Sequence, residues 1–292
     1  MLKSVKEFAI THVLDRLAQA LPHNAKFYLL THSFAPERNC LTSALNRELL
    51  AHIYIRGEGL ELGALNNPLP VSPHAQVRYV DFATAEAVAE QFPGHAVKTP
   101  DIVDDAVTLT SIDDCSQDFV IACHILEHLE DPIGAIKTWF RILKPGGVLF
   151  MSIPDRRFTF DFYRKVTPLT HLLADHEQGP AWSHEAHMKE LEEEYRSTYK
   201  VQDEQVLRGL IDWQREGRGH THFHVWTQLE MLDLVLALRR SGISFDIECF
   251  CAYEIEGTFV LRKGSREGVD FAEDSLRQAR LELAQLIQTW PK

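Results

Sequence analysis

From Gly57 onward the chain alternates short apolar strands with helical stretches, the pattern of βαβ units feeding a mostly parallel sheet. GLELG at 59–63 reads as a strand running into a glycine turn, and VRYVD at 77–81 as a second strand ending on an acid. Residues 84–92 predict a short helix capped by Thr84. DFVIAC at 118–123 and the run 148–153 are apolar on both faces, as strands buried between two helix layers are. Between them, Asp131 as N-cap and Pro132 at the first helical position open a helix. Ile133, Ile136, Phe140 and Leu143 form its buried face, and Lys144-Pro145-Gly146-Gly147 ends it in a tight turn. Pro68, Pro70 and Pro73 forbid a regular helix in the first crossover, which is therefore expected to be extended or only briefly helical.

The rhythm breaks over residues 156–223, a stretch rich in His, Asp, Trp and charge. It is too long for a plain connection and carries enough helical pattern to predict a folded lid. Thr227-x-x-Glu230 then forms a capping box opening a helix that Gly242 terminates. Residues 245–253 and 258–262 read as a final antiparallel strand pair. The expected organisation is a helical cap over 1–55, a core over 56–155 and 224–263, a substrate lid over 156–223 and an amphipathic helix over 264–292. The expected fold is α/β, a doubly wound and mostly parallel seven-stranded sheet of Rossmann-like type.

Composition narrows the partners. The net charge of −12, from 30 Lys+Arg against 42 Asp+Glu, offers no basic stripe for phosphates, so nucleic acid and anionic membrane surfaces are poor expectations. No apolar run reaches the length of a membrane span, and the first twenty residues lack a signal-peptide core. Five cysteines without a C-x-x-C pair predict reduced thiols in a cytoplasmic protein.

The candidate chemistry lies at strand ends. Glu61-Leu62-Gly63 closes the first strand, where backbone without a Cβ lets a ligand approach. Asp81 ends the second strand, the position from which an acid accepts ribose hydroxyls in doubly wound folds. Asp105-Ala-Val-Thr-Leu109, then Asp113-Asp-Cys-Ser-Gln-Asp118, Glu127-His128-Leu-Glu-Asp131-Pro132 and Leu143-Lys-Pro-Gly-Gly follow in order. In order and spacing these segments resemble the class I S-adenosylmethionine-dependent methyltransferases over roughly residues 57–263. The resemblance implies S-adenosylmethionine as cofactor, with Glu61 and Gly63 at its methionine end, Asp81 at ribose and the Asp105 loop beside adenine. His124, at the end of the fourth strand, is placed with the same set. Leu65 stands where that family has a further glycine. GLELGALNNPLP is also similar to methyltransferases associated with glycosyltransferases and polysaccharide assembly, which makes a sugar or glycan hydroxyl the leading acceptor. N- or C-methylation of a small metabolite is the alternative enzyme reading, and a non-catalytic cofactor-binding or partner-binding protein the alternative outside enzymes.

Methyl transfer to a hydroxyl requires removal of its proton. His128 and Asp155 are candidates by position, and His222 by chemistry. His220-Thr-His222-Phe-His224 alternates with period two, and as a strand would align three histidines on one face, fit for a base or a divalent metal. His124-Ile-Leu-Glu127-His128 also spells the H-x-x-E-H of inverted zinc proteases. The zinc chemistry needs a helix there, whereas these residues follow directly on a buried strand, so proteolysis is disfavoured. Trp182 and Trp213 suit stacking on a sugar ring, with core packing or a homodimer contact as the plainer uses. The run Glu190–Glu194 reads as a solvated helix face.

Overall fold

The computed structural model describes residues 47–91, 96–216, 221–253 and 255–264. The expected terminal helices, apart from residues 47–54, and the histidine at 220 lie outside the described residues. The chain forms a seven-stranded sheet in the order β3-β2-β1-β4-β5-β7-β6. Its strands are β1 (Gly57–Leu62), β2 (Ala75–Asp81), β3 (Ile102–Val103), β4 (Gln117–Cys123), β5 (Leu143–Pro154), β6 (Phe245–Tyr253) and β7 (Glu256–Lys263). The first five pair in parallel, and β7 runs antiparallel between β5 and β6. The helices are α1 (47–54), α2 (Ala85–Gln91), α3 (Pro132–Ile142), α4 (Leu169–Gln178), α5 (Ala181–Ser197), α6 (Glu204–Arg215) and α7 (Gln228–Arg240).

Strand alternation sorts the core into two layers. Phe119, Ile121, Val148 and Phe150 pack with Leu50, Ala51, Tyr54 and Ile55 at the end of α1. Val120, Ala122, Leu149 and Met151 face the opposite way, against Ile133, Ile136 and Trp139 of α3 and Leu234, Val235 and Leu238 of α7. β1 meets β4 closely at Gly59, where a Cβ would stand 2.3 Å from the Phe119 carbonyl oxygen. The local signals place the helices as expected. Asp131 accepts from the Gly134 amide with Pro132 in the first turn, and Thr227 and Glu230 complete a capping box. Leu143 caps α3 and begins β5 instead of extending the helix face. No helix forms between β1 and β2.

Residues 156–226 leave and rejoin the core at one joint. Asp155 and Trp226 form an isolated parallel bridge, the Arg156 amide donates to the Trp226 carbonyl at 2.8 Å, and three helices, α4 to α6, lie between. The Asp155 side chain is fully buried and binds the Arg157 guanidinium at 2.7 Å. It also accepts the Arg157 amide at 2.9 Å and the Gln228 amide, in the first turn of α7, at 3.2 Å. Among the described residues no helix is long and apolar enough to cross a membrane.

One charge sits awkwardly in the central strand. Glu61 is 2% exposed; one carboxylate oxygen accepts the Leu69 amide at 2.8 Å and the other has no hydrogen-bond partner. Burial raises its pKa to about 7, against the opposing pull of the Leu69 hydrogen bond and of Arg47 and Lys98. A carboxyl whose folded pKa lies above its unfolded value holds its proton more tightly when folded. Stability is thus lost as pH rises from about 4.5 to about 7, by on the order of 3 kcal/mol. Glu61→Gln should therefore be more stable than the parent protein at pH 8 and equal to it near pH 4, read as the difference in urea midpoints. An equal midpoint difference at both pH values would refute the buried-acid account. Asp155→Ala, which strips the joint of its acceptor, should lose about 2–3 kcal/mol at unchanged denaturant slope.

Candidate active site

In a parallel sheet that winds both ways from one strand, a crevice opens at the carboxyl edge where the winding reverses. Here that point lies between β1 and β4; Glu61 and Gly63 stand at the end of β1, Asp81 ends β2 and His124 follows β4. Gly63 follows β1 with φ +57°, and a Cβ there would stand 2.2 Å from Ile125 Cδ1. The left-handed backbone favours glycine here before any ligand is considered, and a larger residue would also have to displace the end of the Ile125 side chain. Leu65 takes φ +47°, the left-handed conformation that a glycine adopts without strain. Asp81 ends β2, 7% exposed, with one oxygen accepting the Ala83 amide at 3.2 Å. Phe82 beside it is 60% exposed, an apolar plate that the sequence did not single out. Asp105 is exposed and caps its own loop, accepting the Val107 amide at 2.6 Å.

The orphaned oxygen of buried Glu61, at the end of β1, is an unfilled acceptor whose ionised form the ammonium of a methionine moiety would favour, and Asp81 offers a second acceptor on the neighbouring strand. The residues present therefore fit S-adenosylmethionine.

Beyond β4 the chain turns through a single 3-10 turn, Leu126–His128, so the H-x-x-E-H residues do not share a helix face. His124 Nε2 lies 2.7 Å from Glu256 on β7, and Glu256 also accepts from Arg47 at 2.9 Å. Burial works to lower the His124 pKa, but the Glu256 hydrogen bond and the charges of Glu127 and Glu256 prevail and raise it. Its expected place beside the cofactor thus comes with an existing carboxylate partner. Glu127 is 1% exposed, and neither carboxylate oxygen has a hydrogen-bond partner. Three imidazole nitrogens surround it instead: His124 Nδ1 at 3.7 Å, His128 Nε2 at 3.9 Å and His222 Nε2 at 3.9 Å.

Besides His124, whose Nε2 is held by Glu256, the other two rings are also committed at their second nitrogen. His128 Nδ1 lies 2.9 Å from the Thr221 carbonyl, and His222 Nδ1 lies 2.7 Å from Asp161 Oδ2. A carbonyl or an ionised carboxylate can only accept, so each Nδ1 carries a proton and each Nε2 is turned toward Glu127. Asp161, 1% exposed, also binds Arg164 at 2.9 Å. Burial would raise its pKa, but the hydrogen bonds and charges of His222 and Arg164 hold it below the usual carboxylate range. Arg164 in turn donates to the His222 carbonyl at 2.8 Å, which fixes the residue from both ends. Phe160 packs 4.7 Å from the His222 ring. Phe158, Phe160 and Phe162 are 46%, 52% and 62% exposed, and of these Phe160 lies against the His222 ring.

The structure corrects the histidine ladder. Residues 221–225 are not a strand, and among the described residues no strand pairs with them. The Phe223 and His224 amides donate to the Glu127 carbonyl at 2.8 and 3.4 Å, and Thr167 binds Val225 from the other side. His222 and His224 consequently enter two different clusters, Glu127–His128–His222 and His171–Asp175–His187–His224. The acidic run is also only partly solvated, since Glu194, 7% exposed, accepts from Tyr163 at 2.8 Å and Glu190 accepts from Arg164 at 3.2 Å. Asp161 lay outside the sequence motifs. Its signal is purely spatial, a carboxylate 61 residues from the imidazole it orients.

Residues 57–151 match the family model described as a methyltransferase domain. No curated protein sequence matches the chain at a significant level. Among solved structures the chain is similar to an S-adenosylmethionine-dependent methyltransferase from Methanosarcina mazei, at 19% identity over 73% of this chain and 95% of that one, with a TM-score of 0.40. It is also similar to a protein from Pyrococcus horikoshii (17% identity, 85% and 98% covered, TM-score 0.43). A third is an arsenic(III) S-adenosylmethionine methyltransferase from Chlamydomonas reinhardtii (14% identity, 87% and 74% covered, TM-score 0.39). At these scores the likenesses carry no substrate or mechanism to this chain. The domain match and the observed fold support a methyltransferase domain over residues 57–151, a kind of domain that takes S-adenosylmethionine as its cofactor.

Proposed function

We propose that this chain methylates a hydroxyl group on a sugar or glycan, with His222 as the proton acceptor. The observation that carries the proposal is the His222–Asp161 pair, which commits Nδ1 to the carboxylate and leaves Nε2, 3.9 Å from Glu127, as the atom that would take the proton. When bound, S-adenosylmethionine supplies a methyl group on a sulfonium, already activated for in-line displacement. The acceptor hydroxyl gives its proton to His222 Nε2 as its oxygen forms the new bond to carbon. The imidazolium so formed lies between Asp161 and Glu127, two carboxylates that favour its charge. The exposed phenylalanines 158, 160 and 162 suit the apolar face of a sugar ring, and the 156–223 segment that carries them acts as the substrate lid. Asp155 is left out of the proton path because its carboxylate is already bound to Arg157 and to the start of α7.

A second reading rests on Glu127, whose unpartnered oxygens face two imidazole nitrogens on His128 and His222. A divalent cation held there would acidify the acceptor hydroxyl directly. Kinetics separate the two. His222→Ala and Asp161→Asn should each lower kcat by about 10²–10⁴ while leaving S-adenosylmethionine affinity unchanged, the size expected for loss of an oriented base. The assay follows S-adenosylhomocysteine release with mono- and oligosaccharide acceptors against amine acceptors. Turnover on amines alone overturns the hydroxyl assignment, and wild-type turnover in both variants overturns the base. Activity abolished by a chelator and restored by a divalent ion would favour the cation.

A further inference from the structure

The other cluster takes no part in the proton transfer described above. His171 and Asp175 stand one turn apart on α4, His187 comes from α5 and His224 from the segment leading into α7. Asp175 and His224 are fully buried, His187 is 7% exposed, and His171 sits at the edge. One ligand atom of each lies within 4.8 Å of all the others. His171 Nε2 is 3.3 Å from His187 Nε2 and 3.3 Å from Asp175 Oδ2, and His224 Nε2 is 3.0 Å from that same oxygen. Nitrogen and oxygen atoms held about 2.0–2.1 Å from a tetrahedral ion stand about 3.3 Å apart along each edge. Three of the edges measured here already have nearly that length.

Hydrogen-bond counting points the same way. His224 Nδ1 lies 3.0 Å from the Leu129 carbonyl, to which it donates, and this fixes the ring with Nε2 toward Asp175. His224 Nε2 and the Asp175 carboxylate are thereby held 3.0 Å apart, each presenting a ligand atom to the same space. His171 and His187 likewise turn ring nitrogens toward each other, and one proton at most fits between them. A cation at the centre satisfies all four groups at once. The outer partners that orient metal ligands are also present. Leu129 takes the His224 proton, and Ser183 Oγ donates to Asp175 Oδ1 at 2.5 Å.

We propose that His171, Asp175, His187 and His224 bind one divalent transition-metal ion of the zinc type in a closed tetrahedral site. Three imidazoles and one carboxylate suit zinc over magnesium or calcium, and four protein ligands leave no open position for substrate, so the ion is structural. It ties α4 and α5 to the 221–226 segment. That segment also carries His222, so the ion fixes the wall from which the proton acceptor projects. The site stands independently of the methyl-transfer reading.

Cobalt(II), which replaces zinc in tetrahedral sites and absorbs visibly there, is the probe. Metal-free full-length protein should take up one equivalent with the intense visible bands of tetrahedral cobalt. Zinc at a hundredfold excess over its dissociation constant should raise Tm by about 5–10 °C. His187→Gln should lose both effects, and Glu127→Gln, which disables the other cluster, should keep both. Absence of tetrahedral bands and of any Tm shift in the parent protein would overturn the proposal and leave a proton-sharing network. Loss of the bands in Glu127→Gln with retention in His187→Gln would overturn it by placing the ion at Glu127. The parent and Glu127→Gln measurements decide the question even where His187→Gln does not fold.

Discussion

A carboxylate taken out of water without hydrogen bonds costs several kcal/mol unless charge or dipoles replace its solvent. Glu127 is in that position at the end of β4, and the chain surrounds it with imidazoles from His124, His128 and His222. Two of these come from the turn that Glu127 itself belongs to, but His222 comes from the far end of the 156–226 excursion. The Glu127 backbone repeats the link, since its carbonyl accepts the amides of Phe223 and His224. The excursion is therefore bound to the sheet edge through the same residue that organises the pocket. Its other attachments follow the same chemistry: His176 with Asp131 at 3.1 Å and His184 with Glu130 at 2.5 Å. Histidine–carboxylate pairs thus join Leu172 of α4, which packs into the core, in docking these helices.

The parts of this protein that were legible in the sequence are those governed by local rules. Thr227 and Glu230 announce a helix start, and Asp131-Pro132 does so for α3, because capping involves residues three apart. The doubly apolar runs of β4 and β5 announce burial on both faces. Glu61, Gly63 and Asp81 could be placed at strand ends for the same reason, since each strand end is a local event and parallel strands share one carboxyl edge. Even so, the reason for Gly63 differs from the expected one. Its left-handed backbone favours glycine before a ligand does.

What could not be read was any pairing made across the excursion. The alternation from His220 to His224 has the period of a strand, but a strand needs a partner, and among the described residues none pairs with residues 221–225. The two described histidines part company, His222 toward Asp161 and His224 toward Asp175. Nothing in the spacing of Asp161 or Asp175 marks them, because what selects them is the packing of α4 and α5 against the edge. The H-x-x-E-H run shows the converse. Its helical spacing suggested a metal on one face, the 3-10 turn denies that face, and Glu127 and His128 still meet a distant imidazole.

The central claim is that the carboxyl edge of β1, β2 and β4 holds S-adenosylmethionine. Isothermal calorimetry of the full chain with S-adenosylmethionine and S-adenosylhomocysteine tests it most directly. The account predicts one saturable site per chain for both ligands. Asp81→Ala should weaken it by about 10- to 100-fold, the loss expected when a carboxylate no longer accepts ribose hydroxyls. No heat with either ligand at millimolar concentration, from protein shown to be folded, would contradict the claim.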